Sequence, residues 1–89
     1  MRHDLKIWPQ QFMAVLGDQK KHEVRVNDRD FRESDEIMLK EWDPNTKSYT
    51  GRHILTKVTN LTEGGTFGLP KNLVVMTIQV QWWDVSATA

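Results

Sequence analysis

Apolar and polar residues alternate along much of the chain with a period of two, which is typical of strands that bury one face. Five stretches are predicted as strands: residues 4–7, 20–26, 37–40, 52–61 and 73–82. The last is the clearest, because its apolar residues share one parity: Val74, Met76, Ile78, Val80 and Trp82. We therefore expect this strand, Trp82 included, to pack against the core.

The predicted strand over residues 20–26 has one apolar and one charged parity. The apolar parity contains His22, Val24 and Val26, and the charged parity contains Lys21, Glu23 and Arg25. Because alternate residues of a strand point to opposite faces, we expect the apolar set to face the core and the charged set to face solvent.

The predicted strand over residues 52–61 has mixed parity. Ile54 and Val58 fit one face, whereas Leu55 and Leu61 fit the other. A β-bulge adds one residue to a strand, so a bulge within this segment would explain the switch of face.

One segment after the first strand is predicted as a helix, over residues 9–17. Pro9 suits the first turn, where its missing N–H is no loss, and Gly17 is typical of a helix end. Between them the apolar residues recur at helical spacing: Phe12, Met13, Val15 and Leu16. We expect this apolar face to pack on the sheet.

Three polar or glycine-rich segments are predicted as connections. Residues 27–34 are too polar for a core element and contain one apolar anchor, Phe31. Residues 43–46 are a strong turn signal. Residues 63–70 form a glycine-rich loop with a second apolar anchor at Phe67.

Length and composition limit the chain to one domain, residues 1–89. A chain of this size supports a single core, and 38% hydrophobic residues with four Trp and three Phe are typical of a globular protein. The predicted fold class is α+β and mostly β, a small barrel of about five strands with one main helix after the first strand. No apolar run approaches the ~20 residues of a membrane span, so we expect no membrane contact.

Cysteine is absent, which excludes disulfides, thiolate catalysis and cysteine-ligated metal centres. The three histidines, His3, His22 and His53, lack the spacing of a zinc site. We therefore expect no metal and no cofactor, and we expect His3 to make a structural hydrogen bond.

Charge is balanced overall and uneven along the chain. Twelve basic residues match twelve acidic ones, which does not favour nonspecific binding to phosphate. Half of the charged residues lie between Asp18 and Glu36. In that segment, Glu33, Asp35 and Glu36 are expected to form a solvated acidic rim.

The junction between the predicted helix and the second strand contains a motif. Lys20, Glu23 and Arg25 have the spacing of Gly-x-Lys-x-x-Glu-x-Arg, with Asp18 at the glycine position. Further matches follow in order: residues 3–7, 23–31, 43–44, 49–52 and 64–69. On these residues the chain resembles the ASCH domain of the PUA-like superfamily, and within it a small ASCH-like family of unknown function common in bacteriophages. The resemblance covers residues 3–78 and leaves residues 79–89 as a C-terminal extension.

This resemblance implies that RNA or a nucleotide-like ligand binds in a cleft between helix and barrel. The residues expected there are a central set, Lys20, Glu23 and Arg25, and a marginal set, Lys6, Trp8, Lys21 and Arg29. Arginine offers a planar fork to phosphate or a base edge, and lysine offers a point charge. Trp8 and Phe67 could stack on bases.

Spacing alone leaves a second interpretation open, in which Glu23 and Arg25 form a surface ion pair worth under ~1 kcal/mol. On the binding hypothesis, Arg25→Ala is expected to remove most ligand affinity and to change folding stability little. The variant therefore distinguishes a binding residue from a structural one.

Two alternatives from other functional classes also stay open. Some ASCH relatives hydrolyse N4-acetylcytidine with the motif lysine and a threonine where this chain has Glu23; here Lys20 with Glu23 or Glu63 would carry that reaction. In the other alternative, a phage accessory protein binds a bacterial host protein through residues 27–36 and Trp83. The protein is expected in the bacterial host cytoplasm, as a monomer or weak dimer.

Overall fold

A single curled sheet of five strands forms a half-barrel in the computed structural model, which describes residues 1–86. The strands are β1 (Arg2–Ile7), β2 (His22–Val26), β3 (Glu36–Asp43), β4 (Ser48–Glu63) and β5 (Leu73–Asp84), and helix α1 (Pro9–Leu16) follows β1. The predicted class, mostly β with one main helix after the first strand, is confirmed. Of the predicted C-terminal extension, residues 79–84 continue β5, and residues 87–89 lie outside the described part of the chain.

The strand order across the sheet, β1-β3-β4-β5-β2, makes β1 and β2 the two edges. β1 pairs in parallel with β3, whereas the other three pairs are antiparallel. Helix α1 connects the two edge strands and packs against β3 and β5. This crossover brings the end of β1, the start of α1 and strand β2 to one side of the molecule. Within residues 1–86, no helix has the length and apolar character needed to cross a membrane.

Helix α1 has the predicted ends, to within one residue. Pro9 lies in the first turn, and the Gly17 N–H donates to the Met13 carbonyl, 2.9 Å away. Phe12 and Val15 are fully buried, each contributing about 1.5–3 kcal/mol of hydrophobic free energy. Apolar burial therefore holds the helix on the sheet.

The core lies between the concave face of the sheet, helix α1 and the connection before β3. Its buried members are Leu5, Ile7, Phe12, Val15, Phe31, Ile37, Leu39, Ile54, Val58, Val74, Met76 and Ile78. Phe31 is therefore the anchor of residues 27–34, as predicted.

The predicted orientation of β2 is wrong. Glu23 is only 3% exposed, whereas Val24 and Val26 are half exposed. The pairing with β5 explains the reversal, because Glu23 lies opposite Met76, which is fully buried. Residues directly opposite in an antiparallel pair share a face. The register therefore turns the charged parity of β2 inward, and Glu23 is not part of a surface ion pair.

Two bulges decide which apolar residues of β4 and β5 reach the core. In β4 the pairing skips Thr59, which brings Leu61 to the core face and confirms the predicted parity switch. In β5 the pairing skips Gln81, so Trp82 lies opposite Leu55 instead of continuing the buried parity. Trp82 is 45% exposed, and its prediction as a core residue is wrong.

The glycine-rich loop between β4 and β5 is held by its backbone and not by Phe67, which is 98% exposed. The Gly65 N–H donates to the Leu69 carbonyl at 2.7 Å, and the Leu69 N–H donates to the Thr66 carbonyl at 2.8 Å. The Thr66 hydroxyl donates to the Glu63 carbonyl at 2.6 Å. These hydrogen bonds close the turn, and the exposed Phe67 side chain does not contact the core. The predicted anchoring role of Phe67 is therefore wrong.

A buried polar pair joins β1 to the start of β3. His3 Nε2 and Asp35 Oδ2 lie 2.8 Å apart, and the His3 ring packs edge-on against Phe31. Burial raises the pKa of Asp35, but hydrogen bonds from His3, the Arg32 N–H and the Met1 amino group outweigh it and lower that pKa overall. The predicted structural hydrogen bond of His3 is confirmed. Asp35 is buried, so its predicted place in a solvated acidic rim is wrong.

A second buried carboxylate supports helix α1. Glu41 accepts two hydrogen bonds from Arg52, at 2.7 and 2.6 Å, and one from Thr50, at 2.7 Å. The Arg52 guanidinium lies over the Phe12 ring, 5.1 Å from its centroid. The hydrogen bonds from Arg52 lower the pKa of Glu41 against the opposing effect of burial.

We expect Glu41→Gln to destabilise the protein at pH 7 by about 2 kcal/mol, because the variant leaves Arg52 without its charged partner. A carboxylate with a lowered folded-state pKa stabilises the fold above its ordinary pKa of 4.5 and loses that contribution as the pH falls through the folded value. Urea unfolding at pH 7, 5 and 3 should show the two proteins converging towards pH 3. A constant difference across that range would contradict the assignment.

Gly64 is required by close approach of the chain. A Cβ at this position would overlap the carbonyl oxygens of Pro70 and Lys71. We expect Gly64→Ala to lower the free energy of unfolding by about 2 kcal/mol or more. Gly68→Ala is the matched control, since nothing lies within 4 Å of its Cβ and only a left-handed backbone (φ +76°) opposes it, at about 1 kcal/mol. Equal losses in chemical denaturation would argue against the steric explanation.

Candidate ligand-binding cleft

A cleft of about 840 Å³ opens where β1, α1, β2 and the turn after β3 meet. Its lining combines charged, polar and apolar side chains: Lys6, Ile7, Trp8, Pro9, Gln10, Gln11, Lys20, Glu23, Val24, Arg25, Asp43, Pro44 and Asn45. The volume lies in the range of pockets that hold small organic ligands. The crossover from β1 to β2 through α1 creates this concavity.

Glu23 is the buried centre of the cleft lining. Arg25 Nε donates to Glu23 Oε2 at 2.9 Å. Lys20 Nζ donates to Gln11 Oε1 at 3.0 Å and lies 3.3 Å from Glu23 Oε1. That ammonium is not aligned for a hydrogen bond to the carboxylate, and across residues 1–86 no other donor reaches Oε1, which is buried.

Arg25 also bridges the two edges of the sheet. Its Nη2 donates to the Lys6 carbonyl in β1 at 2.7 Å. A second contact of the same kind is made to β1 two residues earlier, where Arg29 Nη1 donates to the Asp4 carbonyl at 3.0 Å. Edge strands present carbonyl groups that lack a strand partner, and here two arginines satisfy them. The expectation that Arg25 contributes little to stability does not fit these contacts.

The rim of the cleft is aromatic. Trp8 is 56% exposed, and its ring lies 6.5 Å from that of Trp42, tilted by 35°. Lys6 Nζ lies over the Trp42 ring, 4.2 Å from the centroid. This cation–π contact holds the Lys6 side chain beside the opening and leaves a face of Trp8 accessible.

The structure brings together five of the residues predicted for the site, namely Lys6, Trp8, Lys20, Glu23 and Arg25. The other four lie elsewhere. Lys21 pairs with Asp18 at 3.4 Å, and Arg29 borders a separate depression beside Arg25. Glu63 and Phe67 border another depression, next to Phe31.

Several residues of the cleft were missed by sequence reasoning. Gln11 faces it from the helix, and residues 43–45 close it from the turn after β3. The turn signal was visible in the sequence, but its place beside Trp8 follows from the parallel pairing of β1 with β3. No local pattern marks Gln11 or Trp42 as neighbours of Lys20 and Lys6.

The cleft is nearly balanced in charge. Three cations line it, Lys6, Lys20 and Arg25, against two carboxylates, Glu23 and Asp43. Two of the cations already contact Glu23. The arrangement therefore offers both donors and an acceptor to a ligand, and it differs from a purely cationic phosphate site.

The fold and the cleft define a small half-barrel domain with a cleft of mixed charge. The chain belongs to the family described as Domain of unknown function (DUF3850), which it matches over residues 2–78. It is 31% identical over 61 residues to an uncharacterized 12.9 kDa protein in the GpA 3' region of Escherichia phage P2. That match covers 68% of this chain and 54% of the phage protein, so the chain spans about half the length of this relative.

We expect Arg25→Ala to destabilise the domain by about 2 kcal/mol, because the variant removes a charged hydrogen bond to Glu23 and the bridge to β1. Arg32→Ala is the matched control, since Arg32 pairs with Asp30 on the exposed surface and should change stability little. Urea denaturation monitored by tryptophan fluorescence measures both. Equal stability of wild type and Arg25→Ala would show that the bridge is dispensable.

Proposed function

We propose that this domain is a noncatalytic binding module of the ASCH and PUA-like type that takes RNA or a nucleotide-like ligand in its cleft. The observation that carries the proposal is the convergence of Lys6, Trp8, Lys20, Glu23 and Arg25 on one concavity. These residues include the three charged positions of the motif that the ASCH resemblance uses: Lys20, Glu23 and Arg25. Similarity to a phage protein fits the phage-type family of that resemblance.

The chemistry of the lining suits a nucleotide. An exposed indole offers a stacking surface to an unpaired base, an interaction worth about 1–3 kcal/mol. Lys6 lies over the ring of Trp42, the neighbour of Trp8, where a phosphate attached to a base stacked on Trp8 would meet a cation. Deeper in the cleft, Glu23 provides an acceptor, and Arg25 orients it while tying β2 to the Lys6 carbonyl of β1.

Placement of the acidic residues favours binding over hydrolysis. The amidohydrolase alternative draws on Lys20 with Glu23 or Glu63 as its acid–base partner. Glu63 lies outside the cleft, and Glu23 is held by Arg25. The geometry therefore supports a binding role for Lys20, because neither acid named for the hydrolysis is both unpaired and inside the cleft.

The test is titration of the full chain with fluorescein-labelled RNA decamers and with the four nucleoside monophosphates. We expect Trp8→Ala to weaken binding between about fivefold and a hundredfold, which corresponds to the loss of one stacked base. Trp83→Ala is the matched control, because Trp83 is equally exposed, at 56%, and does not line the cleft.

Two outcomes would contradict the proposal. One is the absence of binding to every RNA and nucleotide tested by the folded wild-type protein. The other is an equal loss in the Trp8 and Trp83 variants, which would place binding elsewhere. Release of cytidine from N4-acetylcytidine would favour the amidohydrolase instead.

A further inference from the structure

One oxygen of the cleft is buried and lacks a hydrogen bond. Glu23 is 3% exposed, and within the described residues 1–86 its Oε1 accepts no hydrogen bond. Its other oxygen, Oε2, is occupied by Arg25 Nε at 2.9 Å. A buried carboxylate oxygen without a donor is unfavourable, and native proteins keep few of them.

The Lys20 ammonium balances the charge of this carboxylate but forms no aligned hydrogen bond to its Oε1. Its ammonium lies 3.3 Å from Oε1 but donates to Gln11 Oε1 at 3.0 Å. The lysine side chain is 21% exposed and carries its ammonium on a flexible four-carbon stem, so the ammonium can turn from Oε1 towards an acceptor of a ligand and stay close to the carboxylate. A well-aligned N–H from a ligand would then replace a misaligned ammonium at Oε1.

The same atoms disfavour a phosphate at the centre of the cleft. A phosphate next to Glu23 would meet a carboxylate, and Arg25 already uses Nε for Glu23 and Nη2 for the Lys6 carbonyl. Like charges at such short distances repel strongly in a partly buried site. Lys6, held over Trp42 at the rim, is the cation placed to receive a phosphate.

We infer that Glu23 Oε1 accepts a hydrogen bond from the N–H group of an uncharged nucleobase, stacked on Trp8 with its phosphate outside at Lys6. This inference rests on the proposed function and deepens it, because it assigns base recognition to one atom. The recognised edge carries an N–H donor next to an acceptor. The donors available to that acceptor are the displaced Lys20 ammonium and Arg25 Nη1, which makes no hydrogen bond within residues 1–86.

The experiment compares labelled homopolymeric RNA decamers with versions that lack the N–H donor. The pairs are uridine with 3-methyluridine, cytidine with N4,N4-dimethylcytidine, and adenosine with N6,N6-dimethyladenosine. For the natural decamer that binds most tightly, we expect methylation to weaken binding by about tenfold or more, as for loss of a hydrogen bond to a charged group. Fluorescence anisotropy with wild-type protein measures this without any variant.

A substitution separates hydrogen bonding from the bulk of the methyl groups. Glu23→Gln keeps the shape of the side chain and weakens the acceptor, so we expect the discrimination against the methylated decamer to fall below about threefold. Circular dichroism checks that the variant is folded. Discrimination that persists unchanged in Glu23→Gln would come from steric exclusion and would overturn the inference.

The outcomes distinguish this inference from the proposed function. If wild-type protein binds no RNA decamer, the proposed function and the inference both fail for RNA. If natural and methylated decamers bind equally well, the cleft binds RNA without using Glu23, and only the inference fails. Competition by ribose 5-phosphate as strong as that by the matching nucleoside would likewise show that phosphate, not the base, is recognised.

Discussion

The gap between the two edge strands, β1 and β2, which do not pair with each other, is the constraint on which the rest of the structure depends. A five-stranded sheet with β1 and β2 at its edges leaves backbone carbonyls without strand partners. Arg25 reaches across from β2 to the Lys6 carbonyl, and Arg29 reaches the Asp4 carbonyl. The half-barrel is thus closed by two side chains where a closed barrel would use a backbone ladder. The cleft lies at the end of the gap between β1 and β2. Arg25 both spans this gap and lines the cleft, so the unpaired edges explain the position of the cleft and of its arginine.

The chain has 27% charged residues and no net charge, and two of its ion pairs lie inside the protein. Glu41 is held by Arg52 beside Phe12, and Glu23 is held by Arg25 with Lys20 nearby. Each of these two carboxylates lies close to helix α1 and would be costly to bury without its arginine. The two pairs differ in one respect. Glu41 accepts hydrogen bonds on both of its oxygens, whereas Glu23 retains one oxygen that accepts no hydrogen bond from residues 1–86.

The fold could be predicted from the sequence to a large extent, because strand and helix periods depend on local burial. The helix after Pro9, the switch of face in β4 and the anchor Phe31 are visible as patterns of neighbouring residues. Two of the errors have different physical origins. The predicted burial of Trp82 failed at a bulge, and the predicted anchor Phe67 failed because backbone hydrogen bonds already close its loop.

The candidate site, like the fold, could be predicted from the sequence only in part. The sequence by itself determined which residues of the motif share a strand face, since Glu23 and Arg25 are two positions apart on β2. Only the tertiary structure decided that this face points inward, because the register with Met76 and Val74 on β5 sets the orientation of an edge strand. It also decided that Trp8, Lys6 and Gln11 meet Glu23, whereas Glu63 does not. Period-two alternation specifies two faces, and long-range pairing chooses which of them is buried.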